Sequence, residues 1–152
     1  MFSLNHEDYM KEALQEAKKA LDSGEVPVGA VIVRDGEIIG RGYNQRESRH
    51  DPTAHAEIVA LRQAGKYMKG WRLNGAVLYV TLEPCPMCAG AMIQSRIDRV
   101  VYGTDDPKAG SAGTLINILQ FPGFNHEVKI TGGVLADEAA ALLRRFFERQ
   151  RI

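Results

Sequence analysis

Few of the residues that mark specialised classes of protein are present in this chain. Among its 152 residues stand one tryptophan and two cysteines, and 19 basic side chains face 19 acidic ones, so there is no excess of charge. Zero net charge removes the argument for nucleic acid that a strongly basic protein would supply, and any polyanion site must be a local patch. The longest apolar stretches, such as residues 28–33, fall far short of the roughly 18 residues a membrane helix needs, so no membrane span is expected. Near the start, Glu7, Asp8 and Glu12 replace the apolar block of a secretory signal, and a cytoplasmic location is the expectation. Repeats, linkers and low-complexity stretches are also missing. Cys85 and Cys88, three positions apart, would close only a very tight disulfide; in a reducing compartment such a pair points to metal binding or redox chemistry.

What remains has a globular composition, with 45% hydrophobic and 25% charged residues. A chain of this size buries roughly 70% of the surface it exposes when unfolded, which fits a single domain over residues 1–152. Asn5 can cap a helix whose apolar positions Tyr9, Ala13, Leu14, Ala17, Ala20 and Leu21 recur at three and four and which ends at Gly24. Pro27 stops helical propagation. Residues 28–33, the pair Asp35-Gly36 and residues 37–42 have the composition of a β-hairpin with a tight turn.

A polar loop over 43–51 is expected next, then a helix starting at Pro52-Thr53 with Ala54, Ile58, Leu61 and Ala64 as its buried stripe and Gly65 near its end. Residues 77–81 predict a strand, Pro86 opens a helix continued by Ala89, Met92 and Ile93, and 99–103 predict a fourth strand. A Gly, Pro and Asp-rich loop over 104–113 leads to a short helix near 115–119 and a weak fifth strand over 127–131. Leu135, Ala139, Leu142, Leu143, Phe146 and Phe147 form the face of a last helix. Strands alternating with helices on this scale indicate a layered α/β domain with a partly parallel sheet.

His55-Ala56-Glu57 and Pro84-Cys85-Pro86-Met87-Cys88 both fall at predicted helix starts. Cysteines at i and i+3 share one side of a first turn, where the helix dipole favours thiolates. Two sulfurs and one imidazole make a zinc set with an empty fourth position, which marks a catalytic zinc holding water and not a structural one. His55 and Glu57, two apart, serve one centre only if it lies off the helix end. Glu57 then reads as the proton carrier for hydrolysis at a polarised carbon. Taken separately, the elements have plainer explanations. Cys-x-x-Cys also describes a thioredoxin-like redox pair, and a histidine at a helix start is often only a cap. His50 or His126 as a fourth ligand would close a structural zinc; otherwise both, with His6, read as surface or loop residues.

Together, His-x-Glu and Pro-Cys-x-x-Cys form the signature of zinc-dependent nucleobase deaminases. The wider segments Glu25-Val26-Pro27-Val28-Gly29-Ala30-Val31, His50-Asp51-Pro52-Thr53-Ala54-His55-Ala56-Glu57, Thr81-Leu82-Glu83-Pro84-Cys85-Pro86-Met87-Cys88-Ala89-Gly90-Ala91 and Phe124-Asn125-His126 resemble the tRNA-specific adenosine deaminases over nearly the whole chain. That resemblance implies a three-layer α/β/α cytidine-deaminase-like fold with a central mixed five-stranded sheet, and a homodimer. The reaction it implies is hydrolytic deamination of adenosine to inosine at the wobble position of a tRNA anticodon, chiefly that of an arginine tRNA, by a zinc-activated water that attacks adenine C6. One zinc per chain would be held by His55, Cys85 and Cys88, with Glu57 as proton shuttle and no nucleotide cofactor. Asn44 and the backbone around Ala54 and Pro84 would hold the base, Val28 would line the pocket, and Asp106 would meet the ribose edge. The chain stops at Ile152, without the basic tail of some relatives.

Between Arg41 and Arg72 seven basic residues stand against three acidic ones, whereas residues 1–25 hold three against six. Arg46, Arg49, Lys69, Arg72, Lys108 and the arginines Arg144, Arg145, Arg149 and Arg151 are the candidates for phosphate contacts with an anticodon stem-loop. Two other readings stay open: a deaminase of a free base or nucleoside such as guanine or cytosine, and a zinc-stabilised RNA-binding module without turnover.

Overall fold

A computed structural model describes residues 5–150, which leaves Arg151 outside the described residues. The first helix, α1 (His6–Asp22), starts where Asn5 accepts from the Asp8 N–H and the Asp8 carboxylate takes the Asn5 N–H in return. Strands β1 (Gly29–Arg34) and β2 (Glu37–Tyr43) form the expected antiparallel hairpin. Asp35 and Gly36 both take positive φ, 52° and 78°, which is what a two-residue turn matching the strand twist requires.

The polar stretch after β2 is not all loop: a four-residue helix, α2 (Arg46–Arg49), lies within it. The following helix, α3 (Ala56–Met68), begins four residues later than Pro52. Asp51 explains the delay, because its carboxylate accepts from both the N–H and the hydroxyl of Thr53 and holds a turn there. The buried stripe of α3 is Ala56, Glu57, Ala60 and Ala64, with Ile58 and Leu61 half-buried beside it.

Strand β3 (Val77–Leu82), helix α4 (Pro86–Gln94) and strand β4 (Arg99–Thr104) follow as a parallel crossover unit. No helix forms near 115–119. The N–H groups of Leu115 and Ile116 both bond to the Gly110 carbonyl, and Ala112 bridges Asn117. Strand β5 (Lys129–Thr131) and helix α5 (Ala136–Gln150) complete the order. On α5, Ala139 and Leu142 are buried but Phe147 is exposed.

The sheet runs β2-β1-β3-β4-β5, antiparallel on one side of β3 and parallel on the other. Alternation along the strands sends Val31, Val33, Tyr79 and Val101 to α1 and α5, and Ala30, Ile32, Leu78, Val80 and Val100 to α3 and α4. The molecule is therefore the three-layer α/β/α mixed five-stranded arrangement expected. Met92 of α4 is fully buried in the second of these layers, and truncating it to alanine would cost about 2–5 kcal/mol.

Strand register places the site. Gly29 pairs with Tyr43 across β1 and β2, the Gly29 N–H donates to the Thr81 hydroxyl of β3, and Leu82 pairs with Thr104 across β3 and β4. Val28, Asn44, Glu83 and Asp105, each one residue beyond these, consequently gather at one end of the sheet. This is the carboxyl end of the parallel strands, where open α/β sheets leave a crevice.

Candidate active site

Two helix starts meet at that end. His55 is the residue before α3 and Cys85 the residue before α4, both in extended conformation, so their side chains project off the helix ends and not along a flank. Cys88 follows one turn into α4. His55 Nδ1 lies 3.5 Å from Cys85 Sγ and 3.5 Å from Cys88 Sγ, and the three donor atoms all lie within 4.8 Å of one another. Bond lengths of roughly 2.3 Å to sulfur and 2.05 Å to nitrogen, set at a tetrahedral angle, give an S···N edge of about 3.6 Å. These three donors therefore fit zinc. Among the described residues they are the one such group, and His50 and His126 do not join it. His126 Nε2 bonds to the Ile97 carbonyl at 2.7 Å, and His50 is exposed at the end of α2.

Within the trio of side chains the negative charge settles on Cys85. The Cys88 thiol donates to it, and that bond, with the one from His55, outweighs burial and lowers the Cys85 thiol to about 4. The same contact, with burial, drives the Cys88 thiol upward. His55 is raised, first by its bond to Cys85, against burial.

Glu57 stands in the first turn of α3 and is 3% exposed. Burial lifts its carboxyl to about 7, against the opposing pull of its backbone hydrogen bond. A carboxyl poised near neutrality can both accept and return a proton.

His55, Cys85 and Glu57 face a cavity of about 230 Å³ whose walls include Val28, Asn44, Arg46, Glu83 and Asp106, with Cys88 fully buried behind them. That is below the roughly 300–1,000 Å³ of sites for drug-sized ligands and suits a group the size of one base. Asn44 donates from Nδ2 to the Val26 carbonyl and accepts at Oδ1 from the Arg46 N–H. One N–H and one lone pair are left for a ligand. Asp106 Oδ1 accepts from the N–H groups of Lys108 and Ala109. Ala54 and Pro84 are not among the residues that line the cavity, and their carbonyls accept from the N–H groups of Gln45 and Ser111 at 2.9 Å each.

Glu25 and Glu83, which the sequence reading quoted within longer segments but gave no role, are buried carboxylates beside the site. Glu25 accepts from the N–H groups of Glu47 and Ser48 and so docks α2, which carries Arg46. Glu83 accepts from Asp106, Ala112 and Thr114. The available signal was a lone acid at the end of an otherwise apolar strand.

The basic candidates separate into two groups. Arg46 lines the cavity, and Lys108 and Arg144 line an adjoining groove with Phe147. Lys69 and Arg72 stand beyond the far end of α3, about 20 Å from its start at 1.5 Å per residue.

Residues 4–151 match the family model of the MafB19-like deaminases. A tRNA-specific adenosine deaminase of Bacillus subtilis is 54% identical over 143 residues, covering 94% of this chain and 89% of that protein. The chloroplastic tRNA(adenine(34)) deaminase of Arabidopsis thaliana is 45% identical over 93% of this chain, which spans 12% of that longer protein. A structure solved in a study of A-to-I editing by tRNA:A34 deaminases at the wobble position superposes with a TM-score of 0.86 at 43% identity, covering 90% of this chain and 99% of that one. A guanine deaminase from Nitrosomonas europaea superposes at 0.78 with 25% identity, over 92% of this chain and 83% of that one. With matches of this extent, and the donor trio where the resemblance put it, the chain belongs to the MafB19-like deaminases, in the group that holds the tRNA-specific adenosine deaminases.

Proposed function

We propose that the protein hydrolyses adenosine to inosine and ammonia at the wobble position of a tRNA anticodon, with one zinc per chain held by His55, Cys85 and Cys88. The observation that carries this reading is the placement of Glu57, a buried carboxyl in the first turn of α3 on the wall of the same cavity as His55 and Cys85, beside three donors spaced for zinc. Zinc bound there would supply Lewis-acid activation of a water. Glu57 takes the proton that the water gives up, delivers it to N1 of adenine, and carries the next one to the departing amine. Asn44 hydrogen-bonds the base from its two free positions, Val28 packs against it, and backbone around Ala54 and Pro84 helps to hold it. The free oxygen of Asp106 meets the ribose. An anticodon loop presents its adenosine unpaired, so extruding it into the cavity costs little.

The names of the relatives support the RNA substrate. The arginine tRNA and the cytoplasmic location follow from the resemblance. A homodimer is supported by apolar side chains left uncovered on the side of α4 and the 108–119 segment, with Leu115 56% and Ile116 50% exposed. The fold shared with a guanine deaminase favours one competitor, deamination of a free base. Inosine formed in an arginine-type anticodon hairpin, measured beside ammonia released from free guanine, cytosine and adenosine, separates the two. Turnover of a free base with an inert hairpin would overturn the RNA reading, and a chain that holds zinc and RNA without releasing ammonia would be a binding module.

A further inference from the structure

We infer that Glu83 is a positioning residue: its carboxylate clamps the 105–114 loop into one wall of the cavity and so sets how tightly the RNA substrate is held, without entering the chemistry. The inference rests on the reading of the site as an RNA deaminase.

Glu83 is 2% exposed and follows directly on β3, where the Thr104 carbonyl fixes its own N–H at 2.9 Å. Oε1 accepts from the Asp106 N–H at 3.0 Å and from the Thr114 hydroxyl. Oε2 accepts from the N–H groups of Ala112 and Thr114 at 3.0 and 3.1 Å. A carboxylate offers about four lone-pair positions, and here all four are taken by the loop. Nothing is left over for a substrate or a migrating proton, which separates Glu83 from Glu57. No ion pair involves Glu83 among the described residues, so its charge is held by loop dipoles alone.

The clamped segment has no regular secondary structure of its own beyond the Ala112 to Asn117 bridge. Yet it supplies Asp106 and Ala109 to the cavity wall and Lys108 to the adjoining groove. Gly110 gives a second, independent sign of the clamp. A Cβ added there would lie 2.5 Å from Glu83 Oε1 and 2.6 Å from the Asp106 carbonyl oxygen, so the loop backbone rests directly on the carboxylate. Any larger residue would push the two apart.

The test compares Glu83→Gln, which turns one acceptor oxygen into a donor, with Gly110→Ala, which leaves the carboxylate and displaces it. Thr114→Ser, which keeps every hydrogen bond, is the control. With the zinc-loaded enzyme on an anticodon hairpin, both disruptive variants should raise KM about tenfold or more and leave kcat within about threefold, while Thr114→Ser behaves as the parent. Amide exchange at Asp106, Ala112 and Thr114 should quicken by about tenfold or more, with β3 and β4 unchanged. The clamp is overturned if kcat falls while KM holds, if the loop amides keep parental protection, or if β3 and β4 quicken equally, since the last means general unfolding. A parent enzyme that ignores the hairpin would sink the RNA reading instead, and the exchange rates would still decide the clamp.

Discussion

His55 and Cys85 are separated by thirty residues, yet Nδ1 of one lies 3.5 Å from Sγ of the other, because each precedes a helix that starts at the same end of the sheet. Cys88 closes the triangle from one turn inside α4. The spacing His-x-Glu is thereby explained: from the first turn of a helix both side chains reach a centre lying off its end, which they could not do from a helix middle.

One zinc per chain should be found by elemental analysis of the purified protein. Cys85→Ala and Cys88→Ala should each lose it, since two remaining protein donors hold the ion weakly. Either variant keeping full metal and activity would mean that the trio is not the site.

Glu57→Gln should keep zinc and fold, because amide and carboxyl have nearly the same shape and Glu57 is not one of the three donors. Turnover should fall by about a hundredfold to ten-thousandfold, or roughly 3–5 kcal/mol of barrier. Single-turnover kinetics on the hairpin check this, and a near-parental rate would remove Glu57 from the mechanism.

Glu25 should make the docking of α2 sensitive to acid. Burial alone would raise its carboxyl, but the N–H groups of Ser48 and Glu47 outweigh burial and hold it below the ordinary value of 4.5. With a folded value below the unfolded one, its contribution is full above the unfolded value and fades as pH falls through the folded one. Glu25→Gln should therefore lose about 1–2 kcal/mol near neutrality, a deficit that shrinks towards acid pH. Urea midpoints for both proteins across that range decide it, and a deficit independent of pH would contradict the assignment.

Legibility in the sequence followed the range of the interactions. The hairpin and α1 were readable because the Asp35-Gly36 turn and the Asn5 cap are local and each has one good solution. The start of α3 was misplaced because Pro52-Thr53 also suits a helix, and only the Asp51 side chain diverts it. The helix expected near 115–119 gives way to another bonding pattern, in which the N–H groups of Leu115 and Ile116 meet the Gly110 carbonyl and that of Ile118 meets the Ser111 carbonyl, while Glu83 holds Ala112 and Thr114 just before them. The three side chains that spacing and resemblance single out do come together, whereas the buried acids that hold the walls, Glu25 and Glu83, are each one carboxylate in an unremarkable context. Phe147 kept helical spacing with the core face of α5 but lies exposed over the groove beside Asp106 and Lys108.

A dimer should be seen by sedimentation at micromolar concentration, since Leu115 and Ile116 leave apolar surface uncovered. Replacing both by lysine should give a folded monomer. A parent chain that sediments as a monomer would end this expectation.

The distribution of cations predicts which ones hold RNA. Arg46 at the cavity and Lys108 and Arg144 at its rim are close enough to meet phosphates flanking an adenosine placed beside Glu57. Lys69 and Arg72, about 20 Å away past the far end of α3, are not, although the sequence ranks them alike. Each lost contact to a single-stranded phosphate should flatten the fall of log affinity with log salt by about 0.7. Arg46→Ala, Lys108→Ala and Arg144→Ala should show that change with the anticodon hairpin, while Lys69→Ala and Arg72→Ala keep the parental slope. Deoxyribose substitution in the loop should weaken turnover further, because the free oxygen of Asp106 then loses a 2′-hydroxyl partner. Equal salt slopes for the near and far sets would place the RNA across the α3 end of the molecule and detach the charge pattern from the cavity.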